Sequence, residues 1–271
     1  MISTLNAIIM ENKNAIQLLK LGEDIIFGKN GVDYALVPGT VYVPKLDHFS
    51  DEIQLNIGNS LQLPEKLYVP AADKKFINKV LNSYTSAEKT MGVLLAGTKG
   101  TGKTVMAKQI AKESGMPILT IDNTLHPTYL KQLFAKIESM PMCIVFDEFD
   151  KLGDKYDSDQ ILRVLDGVSS SGKHLLVFTC NDAEEVNSYL LDRCSRVRYY
   201  REFDEMGPSM IKEILEDRLT DKSEVNALTD FISKNFGLIS FDNVASFADE
   251  VNNYPDDTYE ELFKDMNISE K

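Results

Sequence analysis

The segment Gly97-Thr98-Lys99-Gly100-Thr101-Gly102-Lys103-Thr104 holds the residue types and spacing with the most direct chemical meaning in this chain. It matches G-x-x-x-x-G-K-[ST], a loop whose glycines let successive backbone N–H groups turn inward on phosphate oxygens. An apolar run precedes it and a helical pattern follows, so a helix N-terminus adds the positive end of its dipole at the same point. Lys103 is expected to bring an ammonium to the β- and γ-phosphates, and the Thr104 hydroxyl to coordinate Mg²⁺. Further along, the apolar run 142–146 ends in two acids. Asp147 is expected to hold Mg²⁺, directly or through water, beside Thr104. Glu148 is expected to polarise a water for in-line attack on the γ-phosphate. The residues therefore predict a nucleotide site with Mg²⁺ as its metal.

Those residues must be positioned by a scaffold. Strands are expected at 91–97, 116–122, 142–149, 174–181 and 196–203. Most are continuous apolar runs, the pattern of strands covered on both faces. Helical patterns at 103–114, 127–139, 158–168 and 183–191 separate them, which argues an α/β fold: a parallel five-stranded sheet flanked by helices. Before it, residues 1–70 open with a helical pattern through Leu5, Ile8, Ile9, Ile16, Leu18 and Leu19. Short β-rich runs follow, with Lys29-Asn30-Gly31 as a hairpin turn and frequent prolines. This stretch is expected to be a small α+β N-terminal extension. After the sheet domain (71–204), residues 205–271 show helical patterns only and predict a C-terminal helical lid.

Composition narrows the class. Hydrophobic residues at 43% allow a packed core in a 271-residue chain. No apolar run reaches the length of a membrane span, and no signal peptide is read at the N-terminus, so a soluble cytoplasmic protein is expected. Cys143, Cys180 and Cys194 are too few and too spread for a disulfide scaffold or a zinc site, and read as buried apolar residues. His48, His126 and His174 lack acids or cysteines at ligand spacing and receive no metal or acid–base role. The net charge of −13 is concentrated in residues 201–271, where 18 acids face 7 basic residues. Such a face repels phosphate backbones and makes a nucleic-acid partner the less expected one.

Taken together, GVLLAGTKGTGKTVMAKQIAKESGMPI, IVFDEFDKLG and QILRVLDGVSSSGKHLLVFTCND resemble the AAA+ ATPases, ring-forming P-loop NTPases, over about residues 65–250. The first two segments look like the family's Walker A and Walker B elements. The resemblance implies ATP as the nucleotide and makes Asn181 the sensor 1 residue, positioning the attacking water beside Glu148. An amide at the end of a core strand can reach the γ-phosphate region on physical grounds as well, although a turn-forming Asn is an equal alternative. Arg193 and Arg196, three apart before a strand, resemble paired arginine fingers that would complete a neighbouring subunit's site, Arg193 being first choice. Ion pairing with nearby acids is the alternative for both, and Arg198 reads as a solvated strand residue. A homo-oligomeric ring, a hexamer by resemblance, is implied.

Two departures qualify the resemblance. The lid stretch from Gly237 to Asn243 has no sensor 2 arginine, and no aromatic–aliphatic–glycine triplet follows the second strand. There Pro127 reads as the first turn of a helix. The leading expectation is an ATPase that remodels a protein client, with residues 1–70 engaging a substrate or partner. The rival is a clamp-loader-like or helicase-loader-like ATPase, to which Asp192-Arg193-Cys194 is similar. A nucleotide-gated scaffold with negligible turnover is the third.

Overall fold

The computed structural model describes residues 17–21, 24–28, 35–47, 51–64, 66, 68, 71–122, 125–151, 163–166, 172–182, 197–203, 206–236 and 239–266. Among the described residues nine strands, β1 (Gln17–Leu21), β2 (Asp24–Gly28), β3 (Val41–Asp47), β4 (Glu52–Ile57), β5 (Met91–Gly97), β6 (Ile118–Ile121), β7 (Cys143–Phe146), β8 (Leu175–Cys180) and β9 (Tyr199–Phe203), form one sheet. Their order is β1-β2-β4-β3-β6-β7-β8-β5-β9. Its parallel part, β6-β7-β8-β5-β9, comprises the five strands expected from the apolar runs.

Alternation along each strand explains why those runs are apolar throughout. Leu94 and Ala96 of β5, Ile144 and Phe146 of β7, and Leu176 and Phe178 of β8 enter one core layer. Val93 and Leu95, Cys143 and Val145, and Leu175 and Val177 enter the other. Helix α3 (Pro127–Ile137) covers the first face with Leu130, Leu133, Phe134 and Ile137. Helices α1 (Ala71–Ser86) and α2 (Lys103–Glu113) cover the second. Both faces of the strand are dry, so neither can carry a polar repeat.

The sheet is larger than the five strands expected, because the N-terminal region adds to it. Strands β1–β4 pair antiparallel, and β3 joins β6 in parallel through Val41 and Tyr42. Ile25, Tyr42, Ile53 and Leu55 share the core layer of the main sheet. Tyr129 of α3 donates to Asp51 Oδ1 at 2.7 Å, tying the extension to the covering helix as well. Leu18 and Leu19 lie in β1 and not on a helix; the rest of that helical pattern, up to residue 16, lies outside the described residues. The turn at 29–31 also lies outside them, and β2 pairs with β1 and β4.

The helical patterns at 158–168 and 183–191 fall mostly outside the described residues; 163–166 is helical. The C-terminal region is helical as expected, with α4 (Pro208–Arg218), α5 (Val225–Asn235), α6 (Phe241–Asn253) and α7 (Tyr259–Asp265). These helices surround a core of their own, which includes Ile214, Leu228, Ile232, Val244, Phe247 and Leu262. No helix among the described residues is long and apolar enough to cross a membrane.

Candidate functional site

The glycine-rich loop leaves β5 and enters α2 at Lys103. Gly97, Gly100 and Gly102 have φ of 139°, 78° and 99°, a region that favours glycine. Space imposes glycine independently at two of them. A Cβ on Gly97 would lie 2.3 Å from the carbonyl oxygen of Phe203, and one on Gly100 would lie 2.4 Å from Ser240 Cβ. Gly102 is the N-cap of α2 and offers no side-chain acceptor, so the first-turn N–H groups remain directed at the loop.

Lys103 is buried, 6% exposed, and its ammonium donates to the carbonyl oxygens of Gly97 and Thr98, each at 2.6 Å. Thr101 Oγ1 donates to the same Thr98 oxygen at 2.8 Å. Burial pushes the Lys103 pKa below the ordinary lysine value, and the acids Asp150, Asp147 and Glu148 pull it back. The buried ammonium is thus held by the loop's own carbonyl oxygens, at the point where the loop enters α2.

The two acids follow β7. Asp147 Oδ1 accepts the Thr104 hydroxyl at 2.9 Å and the Thr179 hydroxyl at 2.6 Å. The loop and the end of β7 therefore meet where the sequence places the metal ligands. Glu148 has φ of 52°, a left-handed conformation that costs a side-chain-bearing residue about 1–2 kcal/mol. Its N–H donates to Thr179 Oγ1 at 2.8 Å. Its carboxylate pairs with Lys151, which is the main reason its pKa lies below the ordinary glutamate value; a hydrogen bond from the Asn181 side chain adds to the effect. The backbone N–H of Asn181 is held by Asp150 Oδ2 at 3.1 Å. Under these acids Phe146 and Phe178 stack at 5.0 Å with Phe149 edge-on, a rigid floor for the turn.

The loop opens into a cleft of about 760 Å³, within the roughly 300–1,000 Å³ common for small-molecule sites. Its lining includes Lys99, Thr104, Glu148 and Asn181, and also Tyr68, Met206 and Phe241. The lid reaches the loop itself: Ser240 caps α6 and touches Gly100, and the Phe241 N–H points to the Gly100 carbonyl at 3.5 Å. Asp217 of α4 accepts from Lys66 at 2.5 Å and from the Tyr68 hydroxyl at 2.6 Å, and the Tyr68 ring lies 5.3 Å from that of Phe241.

The structure thus brings together Gly97 through Thr104, Asp147, Glu148 and Asn181. Arg193 and Arg196 lie outside the described residues. Arg198 is exposed against the Tyr199 ring. His126 caps α3, its Nδ1 accepting from the Thr128 N–H, with Pro127 at the first turn. Cys143 and Cys180 are buried, their thiol pKa values pushed up to about 12 by desolvation. Sequence reasoning missed Thr179, Asp150 and Lys151. Thr179 had one signal, a hydroxyl inside an otherwise apolar strand two residues before Asn181.

A family model described as "ATPase family associated with various cellular activities (AAA)" matches residues 93–202. Arabidopsis thaliana ATP-dependent zinc metalloprotease FTSH 8, chloroplastic, is 32% identical over 122 residues, covering 37% of this chain and 18% of its own length. A Caenorhabditis elegans protein named probable 26S proteasome regulatory subunit 4 is 32% identical over 167 residues, covering 52% and 37%. The chain thus spans well under half the length of these relatives. A solved structure from work on the structural basis of katanin self-assembly superposes with a TM-score of 0.53 at 18% identity, covering 74% of each chain. That likeness is one of fold. The family model begins in β5 and ends in β9, so it encloses the phosphate loop, both acids and Asn181. Over residues 93–202, the part that holds the glycine-rich loop and the two acids, the chain is therefore similar to the AAA ATPase family.

Proposed function

We propose that this chain hydrolyses ATP with Mg²⁺ in an oligomeric ring and couples the hydrolysis to remodelling of a protein client. The observation that carries the reading is the meeting of Thr104, Asp147 and Glu148 beside the buried Lys103. The donor set fits the metal, since Thr104 and Asp147 offer the hydroxyl and carboxylate oxygens a hard cation prefers. When bound, Mg²⁺ supplies charge neutralisation of the phosphate oxygens. The chain's own residues do the rest. The loop N–H groups and Lys103 hold and orient the triphosphate. Glu148 takes up the proton of the attacking water, and Asn181, hydrogen-bonded to Glu148, helps place that water.

Arg193, with Arg196 as second choice, is proposed to reach a neighbouring copy's site. A protein client is supported by relatives named as an ATP-dependent protease and a proteasome regulatory subunit, and by the acidic C-terminal region. Residues 1–70 are proposed to present that client to the ring.

The test is ATPase rate per subunit against protein concentration, with mass photometry at each point, for wild type, Glu148→Gln and Arg193→Ala. The rate should climb as the assembly forms. It should collapse in Glu148→Gln with nucleotide binding retained, and in Arg193→Ala with assembly retained. A wild-type rate that stays at background in an assembled protein with Mg²⁺ and ATP present would refute hydrolysis. Turnover that instead requires DNA and falls steeply with salt would replace the protein client by a nucleic-acid assembly.

A further inference from the structure

Thr179 is 1% exposed in β8, and its hydroxyl has two partners, both in the turn after β7. It donates to Asp147 Oδ1 at 2.6 Å and accepts the Glu148 N–H at 2.8 Å. Its carbonyl takes the next N–H along, that of Phe149, at 2.8 Å. Three consecutive residues of the turn are thus fixed to one residue of the neighbouring strand.

Each bond constrains a different part of the site. Two hydroxyl donors on a single carboxylate oxygen, from Thr104 and Thr179, fix the rotation of the Asp147 side chain and leave its second oxygen uncommitted to either. The N–H bond holds Glu148 in its left-handed conformation, φ 52°. That conformation sets the direction in which the Glu148 side chain leaves the backbone. A β-branched residue without the hydroxyl would fill the same space and release both acids together.

We propose that Thr179 is a positioning residue for metal and water: through one hydroxyl it sets the carboxylate of Asp147 and the backbone of Glu148. The proposal rests on the hydrolysis reading above. It differs from a purely structural role, in which loss of the hydroxyl lowers stability and leaves metal dependence alone.

The experiment compares wild type, Thr179→Val and Thr179→Ser as full chains. Binding of a fluorescent ATP analogue is measured in EDTA and across a Mg²⁺ titration, and kcat and KM are measured at saturating Mg²⁺. Thr179→Val should bind nucleotide in EDTA like wild type. Its half-saturating Mg²⁺ concentration should rise, and its kcat fall, each by about tenfold or more, the usual effect of removing a residue behind a metal ligand. KM for ATP should move much less than kcat, and Thr179→Ser, which keeps the hydroxyl, should recover both quantities. Should the valine variant fail to fold, Thr179→Cys, whose thiol is a weaker donor than the hydroxyl that Thr179→Ser retains, takes its place.

A folded valine variant with wild-type Mg²⁺ dependence and kcat overturns the proposal. So does a serine variant as impaired as the valine one. Metal-dependent binding that the valine variant leaves unchanged sinks the role of Thr179 alone. A wild type that neither responds to Mg²⁺ nor turns over sinks the hydrolysis reading and this role with it.

Discussion

Acidification should destabilise the fold through one side chain far from the phosphate loop. His174 is 1% exposed at the start of β8, and its Nδ1 has no hydrogen-bond partner among the described residues. A Cβ on Gly172 would lie 2.9 Å from its Nε2, so the ring is tightly enclosed. Desolvation alone lowers its pKa from 6.5 to about 4. The folded state therefore keeps a neutral imidazole where the unfolded chain takes up a proton. Stability from this group is complete above pH 6.5, falls as the pH drops, and levels off below about 4. At about 1.4 kcal/mol per pH unit, the full loss is about 3 kcal/mol. That is a large share of a typical stability of roughly 5–15 kcal/mol.

The assay is urea unfolding at about pH 7 and about pH 4.5, followed by far-UV circular dichroism. Carboxylates titrate in the same window, so the quantity to read is the fall in wild type minus the fall in His174→Leu. It should be about 2–3 kcal/mol in the direction of greater loss for wild type. Equal falls in the two proteins would show that burial of His174 brings no penalty on its protonation in the folded state.

Two further outcomes are expected at the site. Gly100→Ala should push Ser240 and the start of α6 off the loop, because its Cβ would lie 2.4 Å from Ser240 Cβ. ATP affinity should fall by about tenfold or more, since about 1.4 kcal/mol is a factor of ten. Gly115→Ala, also at positive φ but with open space around it, should leave affinity unchanged, and equal effects of the two would refute the clash. Lys151→Ala removes the main cause of the low Glu148 pKa, so that carboxyl should protonate at higher pH. The acid limb of the kcat profile should shift upward in pH, and superimposable profiles would rule out the ion pair as a determinant of Glu148 ionisation.

The site was legible where chemistry dictates residue type over a short span. Gly97 to Thr104 and the pair Asp147 and Glu148 are consecutive, and each stands at the end of an unmistakably apolar strand. The central strands were legible because burial on both faces leaves them almost wholly apolar, with Thr120 and Thr179 as isolated hydroxyls. The N-terminal strands were not, because their membership depends on partners far along the chain, as Val41 and Tyr42 do on Ile118 and Leu119. Pro44, one of the frequent prolines of that stretch, lies inside β3. That strand meets β6 only at Val41 and Tyr42, so Pro44 stands where one side is an edge and a missing N–H is tolerated. Thr179 looked like any β-branched strand residue until its hydroxyl was placed between two acids. Lys151 needed the turn at Glu148 before its charge could be assigned a partner.

The position of β5 between β8 and β9 has a consequence for how the protein is made. The strand that carries the phosphate loop leaves the ribosome before either of its neighbours exists. β9 emerges about a hundred residues later, which at roughly 5–20 residues per second is about 5–20 s of synthesis. Until β8 emerges, about eighty residues after β5 ends, MGVLLAG is an apolar segment without either of its partner strands. Its two glycines and its short length limit self-association. The nucleotide pocket is consequently among the last parts of the domain to be completed, and a chain stalled before residue 199 would carry the whole phosphate loop in a half-paired strand.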